Sequence, residues 1–412
     1  MKVLVINWSW YPSGGDWTYI ENLSKLYLAN DVEIIPFSTH NTRNFLTPYD
    51  QYFVNGQDFK TLNKNKNFKN GLQVIKTSIV SHEAVTKLEQ LLNKVEGITV
   101  AHLHNVHHYI TPIIIDVLKA RGIKIVWTLH DFKIICPENS FLSNGKICEK
   151  CITGSFIHCF TNKCKKKSYL ASAMASIDAY YYHNKKIYDK VDAFLCPSAF
   201  LQNKFIKFGF NPAKLILAHS CYDIQLIDDY IANNKVTQPT TEKFVLYIGR
   251  LEQIKGIHTL IEAAIGTDIK VKIVGTGNLE AALKLMAAGA NNIEFLGFKN
   301  KDEVFELTQQ CEFVVCPSVC YENLPFSVIE SFLFSKPVIG AEIGGIPELV
   351  INEKTGLLFE PDNAEHLCEK MRYLWQNPDV VIKLGVQARV HAYQMVNYNT
   401  HWSKIQQVFK QI

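Results

Sequence analysis

Two cations and two carboxylates stand out for where they fall. Arg250 and Lys255 lie in Gly249-Arg-Leu-Glu-Gln-Ile-Lys255-Gly256, directly after an apolar run at Phe244–Ile248. Glycine lets backbone approach a ligand closely. Two cations at the end of a buried strand suit a pair of phosphates, although solvated turn residues leave the same trace. Glu322 and Glu330 bracket Asn323-Leu324-Pro325-Phe326-Ser327-Val328-Ile329. Pro325 suits the first position of a helix, and a helix N-terminus offers phosphate its free N–H groups and partial positive charge. Each carboxylate could then hold a pair of sugar hydroxyls. The plainer alternative makes Glu322 part of a cap and Glu330 a solvated helix residue. Gly344-Gly-Ile-Pro-Glu348 reads as a tight turn, and Gly275-Thr-Gly277 lacks the third glycine of a dinucleotide loop.

The cysteines form a second group. Cys148, Cys151, Cys159 and Cys164 give C-x2-C-x7-C-x4-C. Four soft ligands opening on a tight pair suit a structural zinc, with Cys136 a substitute ligand and free thiols the alternative. Lys163, Lys165, Lys166 and Lys167 adjoin them. They could meet anionic head groups or a lipid diphosphate, or simply open a helix in water.

The elements that must position these residues are legible as apolar runs. Val3–Asn7, Val32–Pro36, Thr99–Leu103, Ile123–Thr128 and Asp192–Cys196 read as strands, with helical patterns such as Tyr19–Ala29 and Val85–Val95 between them. A second series runs through Phe244–Ile248, Val271–Val274, Ile293–Leu296, Phe313–Cys316 and Pro337–Gly340. Unbroken apolar strands alternating with helices indicate parallel sheets covered on both faces, hence an α/β chain of two doubly wound domains. The expected division is 1–222, with a Cys-rich insertion at 132–168, then a polar linker over 223–242, a second domain at 243–392, and a closing helix at 393–412.

At 412 residues, 47% hydrophobic and 20% charged, the composition excludes disorder, collagen and coiled coil. The net charge of +4 is too small to argue for nucleic acid. It is uneven: residues 1–195 carry 23 Lys and Arg against 16 Asp and Glu, and the remainder carries 20 against 23. A basic first half points to an anionic partner, a phosphorylated molecule or an anionic membrane surface. No run approaches the ~18 apolar residues of a membrane span, and Met1–Asn7 is too short for a signal peptide core. The expected setting is therefore cytoplasmic, at most peripheral at the inner face of the cytoplasmic membrane, with cysteines reduced or metal-bound.

Taken together, Gly-Arg-Leu…Lys-Gly, the two spaced glutamates and Gly-Gly-Ile-Pro-Glu resemble the nucleotide-sugar half of retaining glycosyltransferases of family 4, which have the GT-B fold of two facing Rossmann-like domains. Trp10-Tyr-Pro-Ser-Gly14-Gly15-Asp16-Trp17-Thr-Tyr19 looks like that family's glycine-rich loop. His102-Leu-His104-Asn105 and Trp127-Thr-Leu-His130-Asp131 look like its active-site strand ends. The resemblance spans essentially the whole chain. It implies that Gly249, Arg250 and Lys255 hold the donor diphosphate, that Glu330 binds ribose hydroxyls, and that Glu322, with Asn323, Leu324 and Pro325, meets the donor sugar. Gly14 and Gly15 would let backbone approach the diphosphate and acceptor, and His130 would act at the reacting sugar. Two cations and a helix N-terminus would stabilise the departing phosphate with no metal or other cofactor in catalysis. Asn323-Leu324-Pro325 departs from the commoner glycine-containing pattern and resembles a bacterial polysaccharide-assembly branch.

The expected function is transfer of a hexose from a nucleotide sugar, UDP-linked, to a growing capsule-type glycan on a polyprenyl diphosphate. A nucleotide-sugar epimerase on the same architecture and a zinc-containing nucleic-acid-binding protein are the rivals. Trp8, Trp10, Tyr11 and Trp17 are expected to line the first crevice and receive an amphipathic, anionic acceptor at the membrane surface.

Overall fold

The computed structural model describes residues 1–55, 79–107, 109–234 and 242–412. The chain divides into two compact units. One comprises Met1–Pro197, Leu201–Ala218 and Tyr398–Ile412, and the other Ser198–Phe200 and His219–Asn397.

In the first unit the strands are β1 (Lys2–Ile6), β2 (Glu33–Phe37), β3 (Ile98–Leu103), β4 (Lys124–Thr128), the short antiparallel pair β5 (Leu142–Ser143) and β6 (Lys146–Ile147), then β7 (Ala193–Cys196) and β8 (Leu215–Leu217). Six of them make a parallel sheet in the order β2-β1-β3-β4-β7-β8. Val3, Leu4, Val5 and Ile6 are all buried, as a strand covered on both faces requires.

The second unit repeats the plan with β9 (Val245–Ile248), β10 (Val271–Val274), β11 (Ile293–Gly297), β12 (Phe313–Cys316), β13 (Val338–Ala341) and β14 (Gly356–Phe359), in the order β11-β10-β9-β12-β13-β14. Alternate residues feed two separate cores. Val245, Tyr247, Phe313 and Val315 face one, and Leu246, Val314, Cys316 and Val338 the other. In such sheets the ligand crevice opens at the carboxyl ends of the strands, where the order reverses. That point lies between β1 and β3 in the first unit and between β9 and β12 in the second.

Several expectations need correction. The sequence reading passed over β8 and β14, which have three and four residues and lack a long apolar run. The stretch taken as a linker begins with a helix, Ile224–Asn233, whose Ile227 is fully buried in the second unit; residues 235–241 lie outside the described residues. The first division falls at Ala218, and Ser198–Phe200 join the second unit. The reason is a set of hydrogen bonds: Ser198 Oγ donates to Asn323 Oδ1 (2.6 Å), and Glu348 accepts from the N–H groups of Ala199 (2.8 Å) and Phe200 (2.6 Å). The closing segment is two helices. Pro378–Met395 stays with the second unit, while Tyr398–Gln411 belongs to the first, bonded through Tyr398 to Asn22 (2.9 Å) and through Lys404 to the Leu217 carbonyl (2.8 Å).

Candidate functional site

The loops after β9, β10, β12 and β13 converge at the switch point of the second unit, and glycines make the convergence possible. A Cβ on Gly275 would stand 1.9 Å from the Gly249 carbonyl oxygen, and one on Gly256, at φ +64°, 1.8 Å from that of Pro317. These close approaches bring Lys255, after β9, against Glu322, after β12. Lys255 Nζ lies 2.6 Å from Glu322 Oε1, which also accepts from Ser318 Oγ at 2.7 Å. Burial opposes the charge on Lys255, but the Glu322 carboxylate outweighs it and raises the lysine's pKa. Burial likewise opposes charge on Glu322, and Lys255, Ser318 and Arg250 together hold its pKa below the usual carboxylate value. Arg250 is different: its side chain is 65% exposed and pairs with Glu252 at 2.9 Å. Both cations at the end of β9 thus have a carboxylate partner. A half-buried ammonium requires a counter-charge, and Glu322 supplies it rather than capping the helix.

Glu330 rides on the helix Phe326–Leu333, anchored by the buried Val328, Ile329, Phe332 and Leu333. Pro325 is the residue before this helix, not its first. Tyr222 donates to Glu330 Oε1 at 2.8 Å. Burial raises the Glu330 pKa, and the Tyr222 hydroxyl and Lys301 only partly offset this. Asn323 Oδ1 is engaged by Ser198, and the Asn323 carbonyl lies 1.8 Å from where a Cβ on Gly345 would stand. Leu324 packs in the core beside that helix. Tyr222 and Ser318 were missed by the sequence reading, because neither belongs to a spacing pattern.

At the switch point of the first unit, Gly14 (φ +147°) and Gly15 are exposed at the start of the helix Gly15–Leu28. Asp16, in its first turn, joins the two edges: its Oδ2 accepts from Trp8 Nε1 (3.1 Å) and from Asn105 Nδ2 (2.9 Å). His104 and His130, at the ends of β3 and β4, meet through Nδ1 and Nε2 at 3.0 Å. Burial lowers the His130 pKa to about 4, against an opposing pull from Asp16, so its imidazole is neutral at pH 7. Tyr19 bonds His401 at 3.0 Å, a histidine the sequence reading had not singled out. His102 lies within the sheet, held by Tyr27 (2.7 Å) and Thr128 (2.7 Å), and serves the core. The aromatic expectation is half corrected. Tyr11 and Trp17 are buried, Trp17 packing against Trp10 and Phe45, while Trp8 and Trp10 stay partly exposed.

Cys148, Cys151, Cys159 and Cys164 do gather, with Cys136 and His158, around one small cavity. Among the described residues, however, no three His, Cys, Asp or Glu side chains are arranged to hold a metal ion. The thiols are soft enough for zinc, and no metal is assigned there. Cys159 and Cys164 are joined by a hydrogen bond, which lowers Cys164 to about 6 and, together with burial, raises Cys159. Burial pushes Cys151 up to about 12.

Residues 230–391 match the family model "Glycosyl transferases group 1". A D-rhamnosyltransferase of Pseudomonas aeruginosa is 34% identical over 157 residues, covering 37% of this chain and 41% of that protein. The O-antigen chain mannosyltransferase C of Escherichia coli is 31% identical over 172 residues, covering 41% and 46%. The matches thus span less than half the length of these two relatives. Among solved structures, the Anabaena protein HepE in complex with UDP and glucose superposes over 100% of both chains with a TM-score of 0.65 at 18% identity. Sucrose-phosphate synthase from Thermosynechococcus elongatus superposes over 100% of this chain and 98% of its own with a TM-score of 0.70 at 17% identity. Residues 230–391 are therefore similar to the group 1 glycosyl transferases, within a chain that shares the GT-B fold of two Rossmann-like domains with these solved structures.

Proposed function

We propose that the chain is a retaining glycosyltransferase that moves a sugar from a nucleoside diphosphate donor, UDP-linked, onto a growing, lipid-linked bacterial surface polysaccharide. The observation that carries this reading is the Lys255–Glu322–Ser318 cluster at the switch point, beside the exposed Arg250. As the bond from sugar to phosphate breaks, negative charge gathers on the diphosphate. An ammonium has three donors. Lys255 uses one on Glu322 and has others for phosphate oxygens, while Arg250 is free to swing from its surface contact with Glu252. Lys255, held beforehand by Glu322, and Arg250, once swung in, stabilise the developing charge without a metal. Glu330 takes the ribose hydroxyls, and neutral His130 donates a hydrogen bond to a sugar hydroxyl. The UDP and UDP-glucose complexes of a similar structure support the donor class, and the relatives named for rhamnosyl and O-antigen mannosyl transfer support the acceptor class.

A thermal-shift panel of nucleoside diphosphates and nucleotide sugars, followed by nucleotide release with polyprenyl-linked glycans, tests the reading. A ligand at 100 times its Kd stabilises by about 2.7 kcal/mol, which a melting curve resolves. Transfer is expected to persist in excess EDTA. No shift with any nucleotide, or activity lost in EDTA and restored by manganese, overturns it.

Glu330 gives a pH test. Ribose hydroxyls donate to the carboxylate form, so donor binding requires Glu330 ionised, and burial has raised its pKa. Donor affinity is expected to fall about tenfold for each pH unit below that raised value. Glu330→Gln is expected to bind weakly and with no such slope. A wild-type affinity flat between about pH 4 and 7 removes Glu330 from the donor site.

A further inference from the structure

The helix Tyr169–Asn184 carries two apolar faces. Ser172, Ala175, Ser176, Ala179 and Tyr182 are buried. On the opposite side Leu170, Met174, Ile177 and Tyr181 recur at the i, i+4, i+7, i+11 spacing of one helical stripe, with Leu170 67% and Ile177 49% exposed. A surface helix ordinarily turns charge to water on that side; here the helix holds a single carboxylate, Asp178, which is paired with Lys133. The stripe is ~17 Å long. Lysines bracket it. Lys166 and Lys167 precede the helix, Lys163 stands 4.2 Å over the Tyr169 ring, and Lys186 follows the far end. Among the described residues none of these four lysines forms an ion pair, and all are exposed. Residues 146–186 hold eight lysines against two carboxylates, a net +6 that accounts for nearly all of the +7 excess in residues 1–195.

We propose that this face docks on an anionic lipid surface, the stripe entering the acyl boundary and the lysines meeting head groups. The charges favour lipid over a second copy of the chain. A copy packed antiparallel would set Lys166 and Lys167 against Lys186, and a parallel one would set each lysine against itself; either stacks like charges around the apolar contact. An anionic surface answers every lysine at once, and an apolar stripe with a basic rim is the pattern of an interfacial helix. The docking surface is then this helix rather than the Trp8–Trp17 loop, where Tyr11 and Trp17 are already buried. The proposal does not depend on the transfer chemistry, because binding is read with neither donor nor acceptor present.

Sedimentation with phosphatidylcholine vesicles containing rising phosphatidylglycerol, at low and high salt, tests it. Binding is expected to rise with the anionic fraction and to weaken with salt. Leu170→Glu with Ile177→Glu is expected to lower the partition coefficient at least about tenfold, and Lys166→Glu with Lys167→Glu to flatten the dependence on phosphatidylglycerol. Both variants should keep the wild-type Tm. Leu285→Glu, at a 78% exposed leucine of the second unit, should bind as wild type. Equal binding to neutral and anionic vesicles, or none to either, overturns the proposal. So does a lipid-free dimer that Leu170→Glu with Ile177→Glu dissociates, which would make a second copy the occupant.

Discussion

Lys255→Ala is expected to lower kcat/KM by about 10²–10³, the ~2.7–4 kcal/mol carried by one preorganised donor at a developing negative charge. It should also destabilise the protein, because Glu322, only 13% exposed, loses its counter-charge; breaking such a pair costs ~3–5 kcal/mol when fully buried, and this pair is partly open. The two effects separate in the double variant. Lys255→Ala with Glu322→Ala removes the orphaned carboxylate, so urea denaturation should recover much of the lost stability while transfer stays slow. Recovery of activity along with stability would mean that Lys255 only neutralises Glu322. Arg250→Ala is the companion case. Its pairing with Glu252 is at the surface and contributes ~0–1 kcal/mol, so the melting curve should hardly move while transfer falls.

The pair also has a pH signature. Glu322 is held below its unfolded pKa, so its contribution is full above the ordinary carboxylate range and is lost as pH falls through the lowered value. Lys255 is held above its unfolded pKa, so its contribution is lost only as pH rises through the raised value. Stability from this contact should therefore be level through neutrality and fall at both extremes. A double variant that loses stability equally at every pH would contradict the pairing.

Gly275→Ala is expected to be the most damaging small substitution in the second unit. Its φ of +132° is one that L residues rarely adopt, and the new Cβ would lie 1.9 Å from the Gly249 carbonyl oxygen, so backbone must move. Strain and overpacking together suggest a loss of roughly 2–6 kcal/mol. The loop that moves carries Arg250 and Lys255, so donor binding should fall further than stability alone explains. Gly266→Ala is the control: φ is +74° but no atom lies within 4 Å of the added Cβ, so it carries backbone strain without the clash. Urea midpoints and donor titrations on both variants check this. Equal behaviour of the two would show that close packing of the loops after β9 and β10 is unimportant.

Much of this architecture is local in origin and so was open to reading from sequence. Phe313–Cys316 is four consecutive buried residues, a pattern that suits a strand covered on both faces, and the glycines, prolines and charges after such strands mark the crevice ends. The short β8 and β14 escaped because Leu215–Leu217 has only three residues and Gly356–Phe359 opens on a glycine, which marks a turn as readily as a strand. The helix at Ile224–Asn233 escaped because its stability comes from Ile227 reaching a core built by distant strands.

The roles inside the site divide the same way. Residue types and spacing by themselves selected Arg250, Lys255, Glu322 and Glu330, since a motif is a statement about which chemistry a short stretch can offer, while Gly14, Gly15 and His130 entered through the family resemblance. What those groups do at rest is decided by contacts across tens or hundreds of residues. Lys255 finds Glu322 because β9 and β12 are neighbours, and Glu330 is capped by Tyr222 from 108 positions away. The four cysteines have ligand spacing, yet metal binding depends on where their sulfurs point, which the chain order does not fix. The stripe on Tyr169–Asn184 is equally undecided by sequence: apolar residues surround that helix, and only its packing shows which of them are left facing water. Charge, spacing and periodicity along the chain set the possible partners of each side chain; desolvation and proximity, which exist only once the chain is folded, choose among them.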